Sequence, residues 1–419
     1  MRAVTLSIGS ELVTGLVADT HGRRLGRALG TVGAVVLRHE MLDDDAEAIA
    51  AAFARAARDA DLVVATGGLG PTPDDLTRDG LAQALGTALA ESPEAMCLLR
   101  AWAEARGRTL SESNRRQALL PQGAEALPNP VGSAPGILAR LGRATVFCLP
   151  GVPSEMERML ADQVLPRLRA GAEARVLRVR TVRTFGLPES VIGERLADLM
   201  APGRRPRIAT AASAGVIDIH IHADGPEGEA DAILASGAAE VRRRLGDAVF
   251  AEGTTTLEES VAALLARRGL TVAVAESCTG GLVAARLVNV PGMSNHLLEG
   301  VVAYSNRAKE RLLGVPADRI ERHGAVSEAV ARAMAEGARA GAGADLGLAV
   351  TGIAGPGGGS SEKPVGTVWF ALADAAGADA VRELFPGDRQ TVRERAVLYA
   401  LNLVRLRLES TRKAARRNG

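Results

Sequence analysis

Apolar and polar positions along the first 170 residues alternate between two periods, one typical of strands and one of amphipathic helices. Short β-branched runs predict strands at 3–8, 35–37, 62–65 and 144–149. Strands that alternate with helices form right-handed βαβ units and a mainly parallel sheet. We therefore expect a first α/β domain over residues 1–170.

The pattern changes in the next stretch, which predicts two strands and a short helix, at 176–184, 216–222 and 190–200. Ile217, Ile219 and Ile221 alternate with polar residues, which is typical of a sheet with one face in water. Residues 171–253 are thus predicted to form a small α+β module.

A second α/β pattern follows, with helices predicted at 257–268 and 390–408 and strands at 270–275, 347–350 and 366–372. We assign it to residues 254–412, followed by a basic tail at 413–419. The predicted fold class is α/β, with two α/β sandwich domains of mainly parallel sheets joined by the small α+β module.

Composition narrows the classes of function. The 419 residues are 47% hydrophobic but only 2% aromatic, so small aliphatic side chains must fill the cores. The formal net charge of +1 provides no global field that would attract nucleic acid or an anionic membrane. We expect neither as a partner.

The cysteines and the N-terminal segment bear on the compartment. Cys97, Cys148 and Cys278 lie far apart without C-x-x-C spacing, which argues against a disulfide framework and a zinc site. The start lacks the pattern of an export signal, and no apolar run reaches membrane-spanning length. A cytoplasmic location is expected.

The stretch AESCTGG, residues 275–281, follows a predicted buried strand and precedes a helix predicted to begin near Thr279. Ser277 would lie at the carboxyl end of the strand, where helix N–H groups can stabilise an oxyanion or hold a phosphate. The competing interpretation is that Ser277 or Thr279 only caps the helix.

Two further segments carry candidate chemistry. Lys309 follows Tyr304 by five residues near a strand-to-helix junction, so the lysine could activate a serine. The alternatives are a surface lysine and a tyrosine that fills the core. The segment 350–359, a strand that ends in glycines, could form an anion nest, but it lacks the sequence features of ATP and NAD sites.

Together, AESCTGGL, VAYSNRAKERLLGV, HGAVSE, TGIAGPGGGSSEKPVGTVWFA and FPGDR resemble the CinA C-terminal domain, the nicotinamide mononucleotide amidohydrolase family. The resemblance implies hydrolysis of the carboxamide of nicotinamide mononucleotide to nicotinate mononucleotide and ammonia, without a cofactor. It also implies a serine nucleophile that a lysine activates.

Roles follow from motif position in that family. Ser277 is the implied nucleophile, Lys309 its base, and Tyr304 lies near the ring or the proton relay. Thr351 is the fourth implied catalytic residue, and it borders the amide or oxyanion together with Gly352. Substrate contacts are implied for Glu276, Thr279, Gly280, Gly352, Gly355 and Arg389, with Arg389 at the phosphate. Cys278 is a competing nucleophile, although nothing local acidifies its thiol, and Arg389 is alternatively a surface residue.

The N-terminal domain has a candidate site of its own in DLVVATGGLGPTPDDLT. Gly67 and Gly68 allow the backbone to approach an anion, and Asp74 and Asp75 offer hard oxygen ligands for a divalent cation. Solvated acids in a proline-rich turn are the competing interpretation.

IGSEL, ADT, TGGLGPTPDDLT, NPVGSAPG and LPGVPSEM resemble the CinA N-terminal domain, which is similar to molybdopterin-binding proteins. The resemblance implies metal-dependent hydrolysis of ADP-ribose to AMP and ribose 5-phosphate. The implied substrate contacts are Glu11, Asp19, Gly67 and Gly68, and the implied ligands of a divalent metal ion are Asp74, Asp75 and Glu155. His21 departs from the family, where asparagine is expected, and is alternatively a surface residue near a helix start.

The linking module of this family resembles a KH fold, and Gly225-Pro226-Glu227-Gly228 has the spacing of a G-x-x-G loop. Acidic residues around it oppose an RNA clamp, so we expect a spacer or dimerisation element. His220 and His222 share one strand face, which we expect to face solvent. The whole chain is interpreted as a bifunctional homodimer of pyridine nucleotide recycling. The alternative is a non-catalytic pterin- or nucleotide-binding sensor with one or both sites silent.

Overall fold

Residues 1–170 and 175–417 are described by the computed structural model, in which the chain divides into two units. The first comprises residues 1–179 and 222–235, and the second comprises residues 180–221 and 236–419. The predicted boundary after residue 170 adjoins residues outside this description. The side chains of the predicted basic tail, 413–419, lie outside it as well.

The N-terminal α/β domain contains strands β1 to β8: Arg2–Ile8, Val35–Leu42, Leu62–Thr66, Leu89–Glu91, Leu119–Pro121, Glu125–Leu127, Gly136–Leu141 and Ala144–Leu149. Its helices α1 to α8 are Ser10–Val13, His21–Gly30, Ala46–Asp59, Thr77–Leu85, Pro93–Glu104, Glu112–Arg115, Pro153–Met159 and Leu165–Ala170. A π-helical turn at Leu160–Val164 joins the last two.

The main sheet of this domain has the order β2-β1-β3-β8-β7-β6. The first four strands in that order are parallel to one another. Strand β7 pairs antiparallel with β8, and β6 pairs antiparallel with β7. Strand β3 is buried along its length, as its uninterrupted apolar run predicts. Apolar clusters lie on both faces of the sheet, because Val4 and Leu6 belong to one cluster and Ala3 to the other.

The small α+β module comprises β9 Arg175–Phe185, α9 Glu189–Leu196, β10 Arg207–Ser213, β11 Val216–Pro226, α10 Glu227–Leu245 and β12 Val249–Glu252. Its sheet has the order β10-β11-β9-β12. The predicted apolar face is confirmed, since Ile217, Ile219 and Ile221 are all buried. The G-x-x-G segment spans the junction of β11 and α10.

The C-terminal α/β domain contains α11 Leu257–Arg268, β13 Val272–Glu276, α12 Leu282–Val288, β14 Leu297–Val302, α13 Asn306–Leu313, α14 Ala317–His323, α15 Glu328–Ala342, β15 Leu346–Gly352, β16 Thr367–Asp374, β17 Gly377–Leu384 and α16 Arg389–Arg417. The strand order is β14-β13-β15-β16-β17. The first three strands in that order are parallel to one another. Strand β16 pairs antiparallel with β15, and β17 pairs antiparallel with β16. The fold is α/β as predicted, with mixed sheets in both α/β domains.

Small side chains fill the C-terminal core, as the low aromatic content predicts. Alanines dominate the cluster that includes α15 and one face of the sheet. The other face packs against α11 and α16, and Phe370, Phe385 and Tyr399 form an aromatic group there. Among the residues that the structure describes, no helix has both the length and the apolar character needed to cross a membrane.

Candidate active sites

Ser277 and Lys309 form the centre of the C-terminal site. Ser277 directly follows β13, and its N–H donates to the carbonyl oxygen of Val350 in β15 at 2.9 Å, which fixes its backbone. Lys309 Nζ lies 3.1 Å from Ser277 Oγ and 3.0 Å from the carbonyl oxygen of Ala303. The lysine is only 1% exposed, so the surface-lysine alternative is wrong.

The environment of Lys309 favours a neutral amine. Burial lowers the pKa of Lys309, because the ammonium form loses its hydration there. The hydrogen-bond partners of Nζ in the described part of the chain are a hydroxyl and a carbonyl, neither of which is a negative charge. A neutral Nζ at this distance can accept the proton of Ser277 Oγ.

Cys278 has the opposite character. Burial raises the pKa of its thiol to about 12, so the thiolate is scarce at neutral pH. A Cβ atom on Gly352 would lie 3.0 Å from Cys278 Sγ and 2.8 Å from Val368 Cγ2. The end of β15 can therefore approach the Ser277 turn only with glycine at this position.

Glu276 lies beneath the turn and caps α12. Its buried carboxylate accepts hydrogen bonds from the N–H groups of Gly281, Val283 and Ala284 at 2.9, 3.1 and 2.9 Å. The helix begins at Leu282, so the predicted start near Thr279 is wrong. The cap is the Glu276 side chain, which removes the interpretation that Ser277 or Thr279 caps this helix.

Tyr304, Gly355 and Arg389 meet at one place. Arg389 is the first residue of α16, where its Nη2 donates to Tyr304 Oη at 2.8 Å and its Nη1 donates to the carbonyl oxygen of Gly355 at 2.8 Å. Tyr304 is 60% exposed, so the core-filling alternative is wrong. The guanidinium therefore joins two loops of the candidate site at its solvent side.

Thr351 and Thr279 belong to the two glycine-containing segments that form this site. Thr351 is buried, and its Oγ1 donates to the carbonyl oxygen of Ala325, in the HGAVSE segment, at 2.9 Å. Thr279 is fully buried, and its Oγ1 has no hydrogen-bond partner among the described residues. A buried polar atom of this kind is costly unless another molecule supplies a partner.

Arg393 is a site residue that is not among those predicted from the sequence. Its Nε donates to the carbonyl oxygen of Cys278 at 3.1 Å, and its Nη2 donates to that of Thr279 at 2.9 Å. The signal was its spacing from Arg389, because residues four apart on a helix lie on one face. The first turns of α16 thus bring two arginines to the candidate site.

The N-terminal site is a cavity of about 380 Å³ beyond the carboxyl ends of β1, β3 and β8. Six of the predicted residues line it: Glu11, Gly67, Gly68, Asp74, Asp75 and Glu155. In the described part of the chain, the lining contains several carboxylates but no lysine, arginine or histidine. Its chemistry favours a cation, or an anion that arrives with one.

Gly67 brings the backbone close to the end of β1, and Gly68 brings it close to the start of α4. Gly67 has φ +96°, and a Cβ atom there would lie 2.0 Å from the carbonyl oxygen of Ile8. A Cβ atom on Gly68 would lie 2.2 Å from Thr77 Oγ1. Larger residues are therefore excluded from this turn.

The predicted metal ligands have different surroundings. Asp75 Oδ1 accepts from the N–H of Gly70 at 2.7 Å, and Oδ2 accepts from the N–H of Thr72 at 2.8 Å. Asp74 is exposed, and Glu155 Oε2 accepts from the side chain of Asn129 at 2.7 Å. Within residues 1–170 and 175–417, no three His, Cys, Asp or Glu side chains cluster closely enough to hold a metal ion.

Asp19 and His21 belong to a network outside the lining of this cavity. Asp19 accepts from Ser7 Oγ at 3.2 Å, from the N–H of His21 at 2.8 Å and from His39 Nε2. Burial would raise the pKa of Asp19, but the hydrogen bonds from His21 and His39 hold it below its ordinary value. His21 is buried with Nδ1 3.0 Å from Thr66 Oγ1, so the surface alternative is wrong.

Three family models match the chain in order. They are described as a probable molybdopterin binding domain over residues 4–170, the damage-inducible protein CinA KH domain over residues 179–251, and the CinA C-terminal domain over residues 254–408. The crystal structure of a CinA protein from Thermoplasma acidophilum is 35% identical and covers 38% of this chain and 95% of its own, with a TM-score of 0.36.

Relatives extend the match to nearly the full length. A CinA-like protein of Citrifermentans bemidjiense is 47% identical over 405 residues, which is 97% of this chain and 97% of that protein. A CinA-like protein of Geobacter sulfurreducens is 46% identical over 412 residues, which is 97% of this chain and 99% of that protein. The chain therefore belongs to the CinA family.

Proposed function

We propose that the C-terminal domain hydrolyses the carboxamide of nicotinamide mononucleotide to nicotinate mononucleotide and ammonia. The observation that carries the proposal is the 3.1 Å contact between Lys309 Nζ and Ser277 Oγ. Burial lowers the pKa of Lys309, which increases the neutral fraction that can act as a base near neutral pH. The resemblance of five consecutive motifs to amidohydrolases of this nucleotide supports the choice of substrate.

The proposed reaction proceeds through an acyl-enzyme. Lys309 Nζ takes the hydroxyl proton of Ser277, whose Oγ attacks the carboxamide carbon to form a tetrahedral intermediate. The carbon–nitrogen bond then breaks, and ammonia leaves with the proton that Lys309 returns. The same amine then deprotonates a water, whose oxygen attacks the ester carbon. As the bond to Ser277 Oγ breaks, Lys309 returns the proton to Oγ, and nicotinate mononucleotide leaves.

The remainder of the substrate would extend toward the solvent side of the site. Arg389 has paired N–H donors that suit a phosphate, and it already contacts the exposed Tyr304, whose ring would lie near the nicotinamide. Thr279 Oγ1, for which the described residues supply no hydrogen-bond partner, would contact the carboxamide. The chemistry needs no cofactor.

The test is release of ammonia and nicotinate mononucleotide from nicotinamide mononucleotide by the full chain, with and without EDTA. We expect turnover that survives EDTA and is lost in Ser277→Ala. A wild-type chain without turnover, or a Ser277→Ala variant with full turnover, would refute this function.

A second activity, hydrolysis of ADP-ribose to AMP and ribose 5-phosphate, is proposed for the N-terminal domain. The supporting observation is the carboxylate-lined cavity next to Gly67 and Gly68. Asp74 and Glu155 suit an ion such as Mg²⁺, which uses one or two protein carboxylates and takes its other ligands from phosphates and water. When bound, such a cation neutralises the pyrophosphate.

AMP release from ADP-ribose with Mg²⁺, Mn²⁺ or Co²⁺ tests the second activity. Loss of AMP release in Asp74→Asn, with intact deamidation in the same preparation, would support it. Binding of ADP-ribose or a pterin without AMP release under any metal would favour the alternative, a non-catalytic sensor.

We also propose that the chain forms a homodimer and acts in pyridine nucleotide recycling. Sedimentation equilibrium of the full chain tests the oligomeric state.

A further inference from the structure

The Ser277 turn is held at its carbonyl groups by a residue from a distant part of the chain. Arg393 Nε and Nη2 donate to the carbonyl oxygens of Cys278 and Thr279 at 3.1 and 2.9 Å. These carbonyls belong to consecutive residues, and they directly follow Ser277. One planar guanidinium therefore fixes two neighbouring peptide groups.

The N–H groups that follow are held from the opposite end of the motif. Glu276 accepts from the N–H groups of Gly281, Val283 and Ala284. Glu276 therefore binds donors of the turn and helix start, while Arg393 binds acceptors of the turn. Neither side chain touches Ser277 Oγ through a hydrogen bond, so both act on the serine through the backbone.

The backbone of this turn needs such support. Gly280 and Gly281 have φ values of 62° and 94°, and glycine restrains its own backbone less than any other residue. Ser277 is fixed on its N-terminal side by the hydrogen bond to Val350. On its C-terminal side, the first tertiary contacts to the carbonyl groups come from Arg393.

We propose that Arg393 is a positioning residue that holds Ser277 Oγ in line with Lys309 Nζ and the substrate carbonyl. The inference rests on the proposed amidohydrolase function. Its role differs from that of Arg389, which contacts Tyr304 and Gly355 and is proposed to bind the phosphate. A displacement of about 1 Å at a reacting atom can lower the rate by about 100-fold, so a small relaxation of the turn suffices.

A positioning residue and a phosphate-binding residue affect the kinetic constants in different ways. Loss of a positioning residue lowers kcat and leaves KM nearly unchanged, because the ground-state contacts of the substrate remain. Loss of a phosphate contact raises KM. Lysine at position 393 keeps the charge but cannot reproduce the planar fork of donors, so Arg393→Lys should recover only part of the rate.

The experiment compares Arg393→Ala and Arg393→Lys with Arg267→Ala, which removes an exposed arginine of α11 in the same domain. One arm measures kcat and KM for nicotinamide mononucleotide. The other measures the labelling rate of Ser277 by a fluorophosphonate, in which Oγ displaces fluoride from phosphorus, with the site verified by mass spectrometry. The second arm reports serine reactivity whichever amide is the substrate.

We expect about 100-fold slower labelling in Arg393→Ala, a kcat that falls similarly with little change in KM, and partial recovery by millimolar methylguanidinium. Arg267→Ala should match the wild type. Wild-type labelling in Arg393→Ala, or a loss confined to KM, would overturn the inference. If Arg393→Ala does not fold, the test rests on Arg393→Lys. A partial rate in Arg393→Lys supports the positioning role of Arg393, and a wild-type rate overturns it.

The two proposals can fail separately. A wild-type chain whose Ser277 is labelled but which does not hydrolyse nicotinamide mononucleotide would refute the substrate, and the labelling rates would still decide the role of Arg393. A wild-type chain that does not hydrolyse nicotinamide mononucleotide and whose Ser277 also resists the probe would overturn both.

Discussion

Lys309 Nζ and Ser277 Oγ lie 3.1 Å apart although the two residues are 32 positions apart in the chain. The contact is a product of topology. Ser277 follows β13, Lys309 lies in the helix that follows β14, and the two strands are parallel neighbours. Because the carboxyl ends of parallel strands share an edge, the nucleophile and its base arrive at the same place.

Replacing Ser277 and Cys278 in separate variants tests which of the two is the nucleophile. Ser277→Ala should abolish deamidation, whereas Cys278→Ala should retain most of it, because burial raises the pKa of the thiol to about 12. Initial rates of ammonia release from both variants, at matched protein stability, provide the measurement. The reverse pattern would assign the reaction to Cys278.

The pH dependence should follow Lys309. The amine acts as a base only when neutral, and burial lowers its pKa, so kcat/KM should rise with pH through a limb below the ordinary lysine value of about 10.4. Lys309→Met should lose the limb and about 10²- to 10⁴-fold in rate. A limb that persists unchanged in the residual activity of Lys309→Met would identify another base.

Glu276→Ala should destabilise the C-terminal domain. The change leaves three N–H groups at the start of α12 without their acceptor, which costs about 1–3 kcal/mol in the free energy of unfolding. Chemical denaturation followed by circular dichroism measures the loss, with Glu321→Ala, an exposed residue of α14, as the control. Equal stability of the two variants would contradict the capping role.

The two proposed activities provide internal controls for each other. Asp75→Ala removes the acceptor for the N–H groups of Gly70 and Thr72, so the loop beside the N-terminal cavity should loosen and AMP release should fall. Deamidation by the same preparation should be unchanged. A parallel loss of both activities would indicate general unfolding rather than a local effect on the loop.

The sequence predicted correctly those helices and strands that are determined by neighbouring residues in the chain. The helix predicted at 257–268 coincides with α11, because Thr256 and Glu259 form a capping box and Gly269 ends the helix in the left-handed region. The buried strands β3 and β8 were also recovered from their apolar runs. These signals require no knowledge of the rest of the chain.

Features that depend on distant contacts were not predictable in this way. The start of α12 was placed too early, because its cap is the side chain of Glu276 in the preceding strand. Arg393 was missed because its partners lie more than a hundred positions away, and only the fold brings them together. Burial of Lys309 likewise depends on packing around α13, which its polar sequence neighbours conceal.

The strand orders of the two α/β domains have a shared consequence. In each, the chain leaves a strand for a neighbour on one side and later adds the next parallel strand on the other, β2-β1-β3 in one domain and β14-β13-β15 in the other. Such a reversal opens a crevice at the strand ends that no crossover helix covers. Ser277 lies at one crevice and Gly67 at the other. Each domain thus has an opening set by its path, and the residues on the bordering turns determine its chemistry.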